Sequence, residues 1–316
     1  MNKLVAIVGP TASGKTKLAI SLAKKFNGAI VSADSRQIYK EMDIGTTKPV
    51  SMQNVDCKMQ NGVLIVDGIK HYLINIKKPC EDYTVGQYKK DAISVINKVI
   101  SDGKLPFLVG GTGLYISAIK DNLEIPKVKP NEKLRKKLEK EIKNKGLVFI
   151  WKKLVKIDPE AAYIVDPKNP RRVVRALEIA LLTKKPFSSQ RKKGKPLYKI
   201  LELGLNPESE KLKKIIAERI DIMVHNGLVK EVKSLVKKYG TKPKAFEAIG
   251  YCEIIDYLNN KTSLEEAAEL MSKNTWHYAR RQMTWFRKDK EIIWLPNNSL
   301  ANSEKYAQKL IKEFLS

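Results

Sequence analysis

The residues with the plainest chemical reading lie near the N-terminus. Gly9, Pro10, Thr11, Ala12, Ser13, Gly14, Lys15 and Thr16 fit the pattern GxxxxGK[ST] in full. An apolar run from Leu4 to Val8 precedes them, and helical spacing of Leu18, Ala19, Leu22 and Ala23 follows. Such a loop turns successive backbone N–H groups inward, and the helix behind it adds about half a positive charge. Lys15 is placed to neutralise a terminal phosphate, and the Thr16 hydroxyl to ligate Mg²⁺. The motif points to phosphate binding and leaves open which phosphate ester binds.

Three further stretches carry chemical side chains. Asp34-Ser35-Arg36-Gln37 follows a short apolar run at 29–32. If that second strand lies beside the first, Asp34 sits at the same sheet edge as the loop. A carboxylate there could hold a Mg²⁺-bound water, take a proton from an attacking nucleophile, or cap the next helix. Gly110-Gly111-Thr112-Gly113 closes a third strand, 105–109, and Thr112 brings a hydroxyl that both donates and accepts. This is either a ligand-facing loop or an ordinary strand-to-helix turn. In the helix opening at Asn169-Pro170, Val173, Val174, Leu177, Ala180 and Leu181 share one arc, and Arg171, Arg172 and Arg175 another. That basic side suits phosphate recognition, or is a solvated face. Between Trp276 and Arg287, the residues Arg280, Thr284 and Arg287 fall within an arc of about 60°, beside Trp276. Such a face can hold phosphates and stack bases. Trp285 and Phe286 are expected in the core.

The elements that must position these groups alternate at first. Strands are expected at 4–8, 29–32, 71–76 and 105–109, and helices at 15–26 and 84–101. That order implies a parallel, doubly wound sheet. From Asn131 to Leu182 only helices follow, broken at Gly146 and at 166–170. A strand resumes at 199–205, then helices at 207–239 and 263–288, a last strand at 292–295 and a closing helix at 306–315. Residues 121–198 thus read as an inserted helical domain, with 1–120 and 199–316 forming a discontinuous core. Asp121 to Ile200 holds 23 Lys/Arg against 9 Asp/Glu, a net +14 of the chain's +26. A basic linker, Arg191-Lys192-Lys193-Gly194-Lys195-Pro196, ends the block.

Over the whole chain of 316 residues, Lys+Arg 60 outweigh Asp+Glu 34, which favours a polyanionic partner. No apolar run approaches the roughly 18 residues of a membrane span, and the N-terminus lacks a signal peptide, so a cytoplasmic protein without membrane association is expected. Cys57, Cys80 and Cys252 have no zinc or disulfide spacing, and His71, His225 and His277 are scattered. All six read as structural or incidental.

Taken together, GPTASGKT, DSRQIY followed by MDIGTTKP, LVGGTGLY, DPKNPRRVVRALEI, AIGY and RRQMTWFR resemble the tRNA dimethylallyltransferase (tRNA isopentenyltransferase) family along nearly the whole chain. The resemblance implies an α/β, P-loop NTPase-like fold with a doubly wound, mainly parallel sheet and an inserted all-helical domain. It implies transfer of a dimethylallyl group from dimethylallyl diphosphate to the exocyclic amine of the adenosine just 3′ of the anticodon, in tRNAs reading codons that begin with U. It makes Asp34 the base and places Thr112 beside the tRNA in the active site. It assigns the loop Gly9–Thr16 to a prenyl diphosphate in place of ATP, with Mg²⁺ on Thr16. The tRNA contacts it implies are Asp34, Ser35, Arg36 and Gln37; Thr112 and Arg135; Arg171, Arg172, Val173, Val174 and Arg175. To these it adds Glu247, Ala248, Ile249, Gly250, Tyr251 and Cys252, and Arg280, Arg281, Gln282, Thr284 and Arg287. The basic domain would grip the anticodon arm, and the enzyme would act as a monomer. The sequence departs from the family at Cys252, where Lys or Arg is usual, at Glu247, where some members are basic, and at Arg171, where many have Gln. An adenylate isopentenyltransferase would share Lys15, Thr16 and Asp34 but would not need the basic insertion. A P-loop small-molecule kinase would give no role to the GGTG turn beside a basic domain, and a non-enzymatic RNA-binding protein would not need an intact GKT with Asp34.

Overall fold

The computed structural model describes residues 1–51, 56–126, 128–190, 192–297 and 299–316. Arg191 of the basic linker lies outside the described residues. Backbone contacts divide the chain into two compact units, 1–120 with 197–316, and 121–196.

The first unit is built on an eight-stranded sheet. Its strands in chain order are β1 (Lys3–Val8), β2 (Gly28–Ser32), β3 (Cys57–Gln60), β4 (Val63–Val66), β5 (Ile69–Tyr72), β6 (Leu105–Gly110), β7 (Lys199–Gly204) and β8 (Ile293–Trp294). The lateral order is β3-β4-β5-β2-β6-β1-β7-β8, all neighbours parallel except β3·β4 and β4·β5. β1, β2 and β6 are short apolar runs buried on both faces, as parallel strands covered by helices must be. The helices are α1 (Lys15–Lys25), α2 (Val85–Ser101) and α3 (Gly113–Lys120), and after the second unit α8 (Ser209–His225), α9 (Leu228–Tyr239), α10 (Tyr251–Leu258), α11 (Leu264–Phe286) and α12 (Leu300–Leu315). No helix among the described residues is long and apolar enough to cross a membrane.

Three sequence expectations change. β6 intervenes between β1 and β2, so the second strand does not lie beside the first. Apolar runs of equal length and composition carry no record of their lateral order. The strand expected at 71–76 stops at Tyr72, because Leu73 and Asn75 turn into the left-handed region with φ of 62° and 58°. The helix expected at 207–239 is two helices, broken where Gly227 takes φ 98° ahead of α9. A meander of β3, β4 and β5 was also overlooked. Its turns are Asn61-Gly62 and Asp67-Gly68, all four residues at positive φ, as tight hairpins require.

The second unit holds α4 (Glu132–Lys145), α5 (Leu147–Ile157), α6 (Ala161–Ile164) and α7 (Pro170–Thr183). Its helix starts are chemically marked: Asn131 and Asn169 accept from the third amide on, and Pro170 takes the first helical position. Leu138, Ile150, Leu154, Val173 and Leu177 form its core.

Candidate active site

The glycine-rich loop joins β1 to α1 with its backbone wound tightly. A Cβ at Gly9 would lie 2.6 Å from the Leu205 carbonyl oxygen, so only glycine fits that position. Gln282 of α11 reaches in from the far side. The Thr11 N–H donates to Gln282 Oε1 at 2.8 Å, and Gln282 Nε2 donates to the Gly111 carbonyl at 2.8 Å. One buried amide therefore ties the phosphate loop to the GGTG turn. Within the loop, Ser13 Oγ is buried without a hydrogen-bond partner. A buried hydroxyl left this way is poised for a ligand oxygen.

Lys15 curls over the loop and donates to the Pro10 carbonyl at 2.5 Å. Its burial lowers its pKa to about 7. Asp34 works against this shift and Arg219 adds to it, so all three groups sense one another. Arg219 lies on α8, and burial depresses its own pKa too. Nothing in its sequence context singled it out, since α8 reads as an ordinary amphipathic helix.

Asp34 leaves the end of β2, and the same edge is fastened to β6 and its turn. The Ala33 N–H donates to Val109 O at 2.7 Å, and the Thr112 N–H to Ala33 O at 3.2 Å. Asp34 Oδ1 accepts from the amides of Arg36 at 2.8 Å and Gln37 at 3.4 Å. Thr112 Oγ1 accepts from the Ser35 N–H at 3.0 Å. Tyr278 on α11 shares a hydrogen bond with Thr112. Its phenol is pushed up to about 12 by burial and then by the charge of Asp34, with Arg36 and the Thr112 bond opposing. Asp34 thus does cap the following turn, and still presents a half-buried carboxyl.

Lys15, Asp34 and Tyr278 open onto one cavity of about 1010 Å³, walled by the phosphate loop, residues 34–37, Gly110 and Gly111 of the GGTG turn, and parts of α8 and α11; Thr112 is not part of its lining. Gly45, Thr46 and Thr47 of the Asp43–Thr47 loop also line it, and the support of that loop is not legible in the sequence. Glu231 of α9 accepts from the amides of Asp43, Ile44 and Gly45 at 2.9, 2.7 and 3.1 Å. The same carboxylate accepts from Tyr251 Oη at 2.7 Å. Lys48, fully buried, donates to Asp43 Oδ1 at 2.8 Å and to Asn75 Oδ1 at 2.5 Å. Gln37 Nε2 donates to the carbonyls of Thr46 and Thr47 at 3.3 and 3.4 Å.

The remaining sequence candidates divide by exposure. Ser35, Arg36 and Gln37 line the cavity, as do Glu247, Ala248 and Ile249. Gly250, at φ 96°, turns the chain into α10. Tyr251 is fully buried and packs on Gly45. Cys252 Sγ lies 3.1 Å from Glu253 Oε2, and burial with that carboxylate pushes its thiol up to about 12. Arg280, Arg281 and Thr284 are exposed on α11, and Arg287 is exposed just past its end. Arg281 also borders the cavity, its guanidinium 5.8 Å from the Tyr278 ring centre. Tyr251, Val173 and Val174 are packed in the interior, and Gln282, also buried, borders the cavity. In the second unit, Arg171 and Arg172 are exposed. Arg135 and Arg175 are engaged: Arg135 grips buried Glu178 through Nε at 2.9 Å and Nη2 at 2.8 Å, and Arg175 Nη1 through 2.6 Å.

Comparison with known proteins gives consistent matches. The IPP transferase family matches residues 37–289, and isopentenyl transferase matches 2–61. A tRNA dimethylallyltransferase of Acetivibrio thermocellus is 43% identical, covering 98% of this chain and 96% of its own. One from Pelotomaculum thermopropionicum is 42% identical over 98% of this chain and 95% of its own. Among solved structures, the full-length tRNA isopentenylpyrophosphate transferase of Bacillus halodurans aligns with TM-score 0.66 at 37% identity, over 99% of this chain and 100% of its own. A eukaryotic dimethylallyltransferase acting on tRNA aligns with TM-score 0.79 at 28% identity, over 100% of this chain and 80% of its own.

Proposed function

The chain belongs to the IPP transferase family, and from that membership we propose how its residues divide the reaction. The enzyme is a prenyl transferase acting on tRNA. Its donor is dimethylallyl diphosphate, and its acceptor is the exocyclic amine (N6) of the adenosine immediately 3′ of the anticodon, in tRNAs reading codons that begin with U. The observation that carries this reading is the shared cavity: the phosphate loop with Lys15 on one wall, the Asp34 carboxyl on the next.

An adenine amine is a poor nucleophile, because its lone pair is delocalised into the ring. It needs a positioned base as it attacks. The nitrogen bonds to C1 of the dimethylallyl group, the C1–O bond breaks, and its electron pair leaves with the diphosphate. The amine proton passes to Asp34, which its two backbone hydrogen bonds on Oδ1 hold in place. Charge on the leaving group is met by the loop amides, Lys15 and Arg219, all fixed before reaction. Thr112, braced against Ser35 and Tyr278, orients the acceptor beside Asp34. Reaching within about 3–3.5 Å of the carbon requires the base to leave the anticodon stack.

Ser13 Oγ, buried and without a partner, supports a loop that fits bound phosphate oxygens. Thr16 would hold Mg²⁺ there, a hard cation suited to hydroxyl and phosphate oxygens. When bound, it offsets diphosphate charge. The basic helical unit grips the anticodon arm, and the enzyme acts as a cytoplasmic monomer.

Incubation with labelled dimethylallyl diphosphate and unmodified tRNA tests the reading, with labelled ATP in a parallel tube. Label should enter tRNA from the first donor and nothing from the second. Phosphoryl transfer from ATP to a small molecule, with no prenylated tRNA, would overturn it.

A further inference from the structure

The small helix α6 presents its aromatic side chain to water. Tyr163 is 91% exposed, while Ala161 and Val165 on either side are 0% and 5% exposed and packed in the core of the second unit. Ala161 in the helix and Val165 just past its end anchor this turn inward, and Tyr163 between them stays outside. The backbone beneath the ring is pinned. The Tyr163 N–H donates to Glu160 O at 3.1 Å, Val165 N–H to Ala161 O at 2.9 Å, and Asn169 N–H to Asp166 O at 3.1 Å. The buried carboxylate of Asp158 accepts from Ser188 N and Oγ at 2.8 and 2.7 Å, locking the start of the segment. A whole aromatic ring held in water on a rigid base adds nothing to folding, because its apolar area stays hydrated.

The surroundings say what would cover it. Lys168, Arg171 and Arg172 follow five, eight and nine residues on, the two arginines in the first turn of α7; all three are exposed, as are Glu160 and Asp166, in a stretch carrying net +14. Ile164 beside it is 39% exposed. A flat exposed ring with few rotatable bonds, in a basic helical unit whose next helix opens with two exposed guanidinium groups, matches an unpaired nucleobase and its flanking phosphates. An apolar protein surface would not call for that charge.

We propose that Tyr163 is a stacking platform for an unpaired nucleobase of the RNA substrate, with Arg172 on a neighbouring phosphate. The inference rests on the tRNA reading above and adds a contact that sets which loop nucleotide is held.

The test measures affinity of the full chain for an unmodified anticodon stem-loop RNA at several salt concentrations. Tyr163→Ala should weaken binding by about 5- to 150-fold with the salt slope unchanged, since stacking releases no counterions. Tyr163→Phe should bind within about twofold of the parent, because the ring and not the hydroxyl stacks. In Tyr163→Trp, emission of the new tryptophan should be quenched as RNA is added. Unchanged affinity in Tyr163→Ala, or no change in the tryptophan signal, would overturn the platform. Failure of the parent chain to bind the RNA at all would instead overturn the tRNA reading beneath it.

Discussion

Asp34 and Lys15 line the same cavity, and each leaves a separate experimental trace. Asp34→Ala should slow the chemical step by about 10²- to 10⁴-fold, read in single-turnover assays, while tRNA affinity stays near that of the parent. Full turnover in that variant would remove Asp34 from the role of base. Lys15 has its pKa lowered by burial to about 7, well under the 10.5 of a free lysine. The sign follows directly. In the unliganded protein the stability due to this group falls as pH drops from the upper value toward the lower, because only the unfolded chain gains the proton there. A bound diphosphate restores the charge. Binding of inorganic diphosphate at pH 8 should therefore take up a proton that Lys15→Arg does not take up, since arginine stays charged throughout. At pH 6 the two proteins should not differ. Titration calorimetry in buffers of different ionisation enthalpy reads the difference. Equal proton uptake by both proteins at pH 8 would show that Lys15 is already charged when free.

At the scale of elements, the site is held by side chains that bridge loops far apart in sequence. Gln282 spans the phosphate loop and the GGTG turn. Gln282→Leu keeps the volume but leaves the Thr11 N–H and the Gly111 carbonyl without partners, a loss of about 1–3 kcal/mol for each buried group. The variant should melt lower and show a raised KM for dimethylallyl diphosphate, and an unchanged KM would mean that the loop holds its shape without the bracket. The phosphate loop itself was legible in the sequence, because GxxxxGK[ST] works through its own backbone and needs only a strand before and a helix after. So was Asp34 at a strand end. Gln282 enters the tRNA-contact set only through the family resemblance of RRQMTWFR, and its part as a bracket between two loops is not legible there. Periodicity shows which residues share a face, and not which face the fold turns inward. Glu231 was invisible for a related reason, as one carboxylate in a helix gives no sign that three amides of Asp43, Ile44 and Gly45 converge on it. The hairpin turns Asn61-Gly62 and Asp67-Gly68 were written in the sequence, and their short strands fell inside a stretch read as loop.

For the molecule as a whole, the excess of positive charge has to be separated into groups that meet RNA and groups that hold the protein together. Exposed Arg172 and Arg280 can each displace counterions from a phosphate, so replacing either with alanine should weaken tRNA binding and lower the slope of log affinity against log salt by about 1. Arg135 and Arg175 are different. Burial alone would raise the Glu178 pKa, yet the two guanidiniums and the Asn131 amide hold it below the usual carboxylate range. Glu178 is fully buried, so removing either arginine leaves a charge short of partners inside the helical unit. Breaking a buried pair in this way destabilises by about 3–5 kcal/mol. Arg135→Ala and Arg175→Ala should therefore lower the thermal transition of the second unit, with a smaller change in salt slope than Arg172→Ala. The pairing of a melting curve with a salt titration tells the two groups apart. If Arg175→Ala lowers the slope by a full unit and melts with the parent, its guanidinium belongs to the RNA surface and Glu178 does not depend on it.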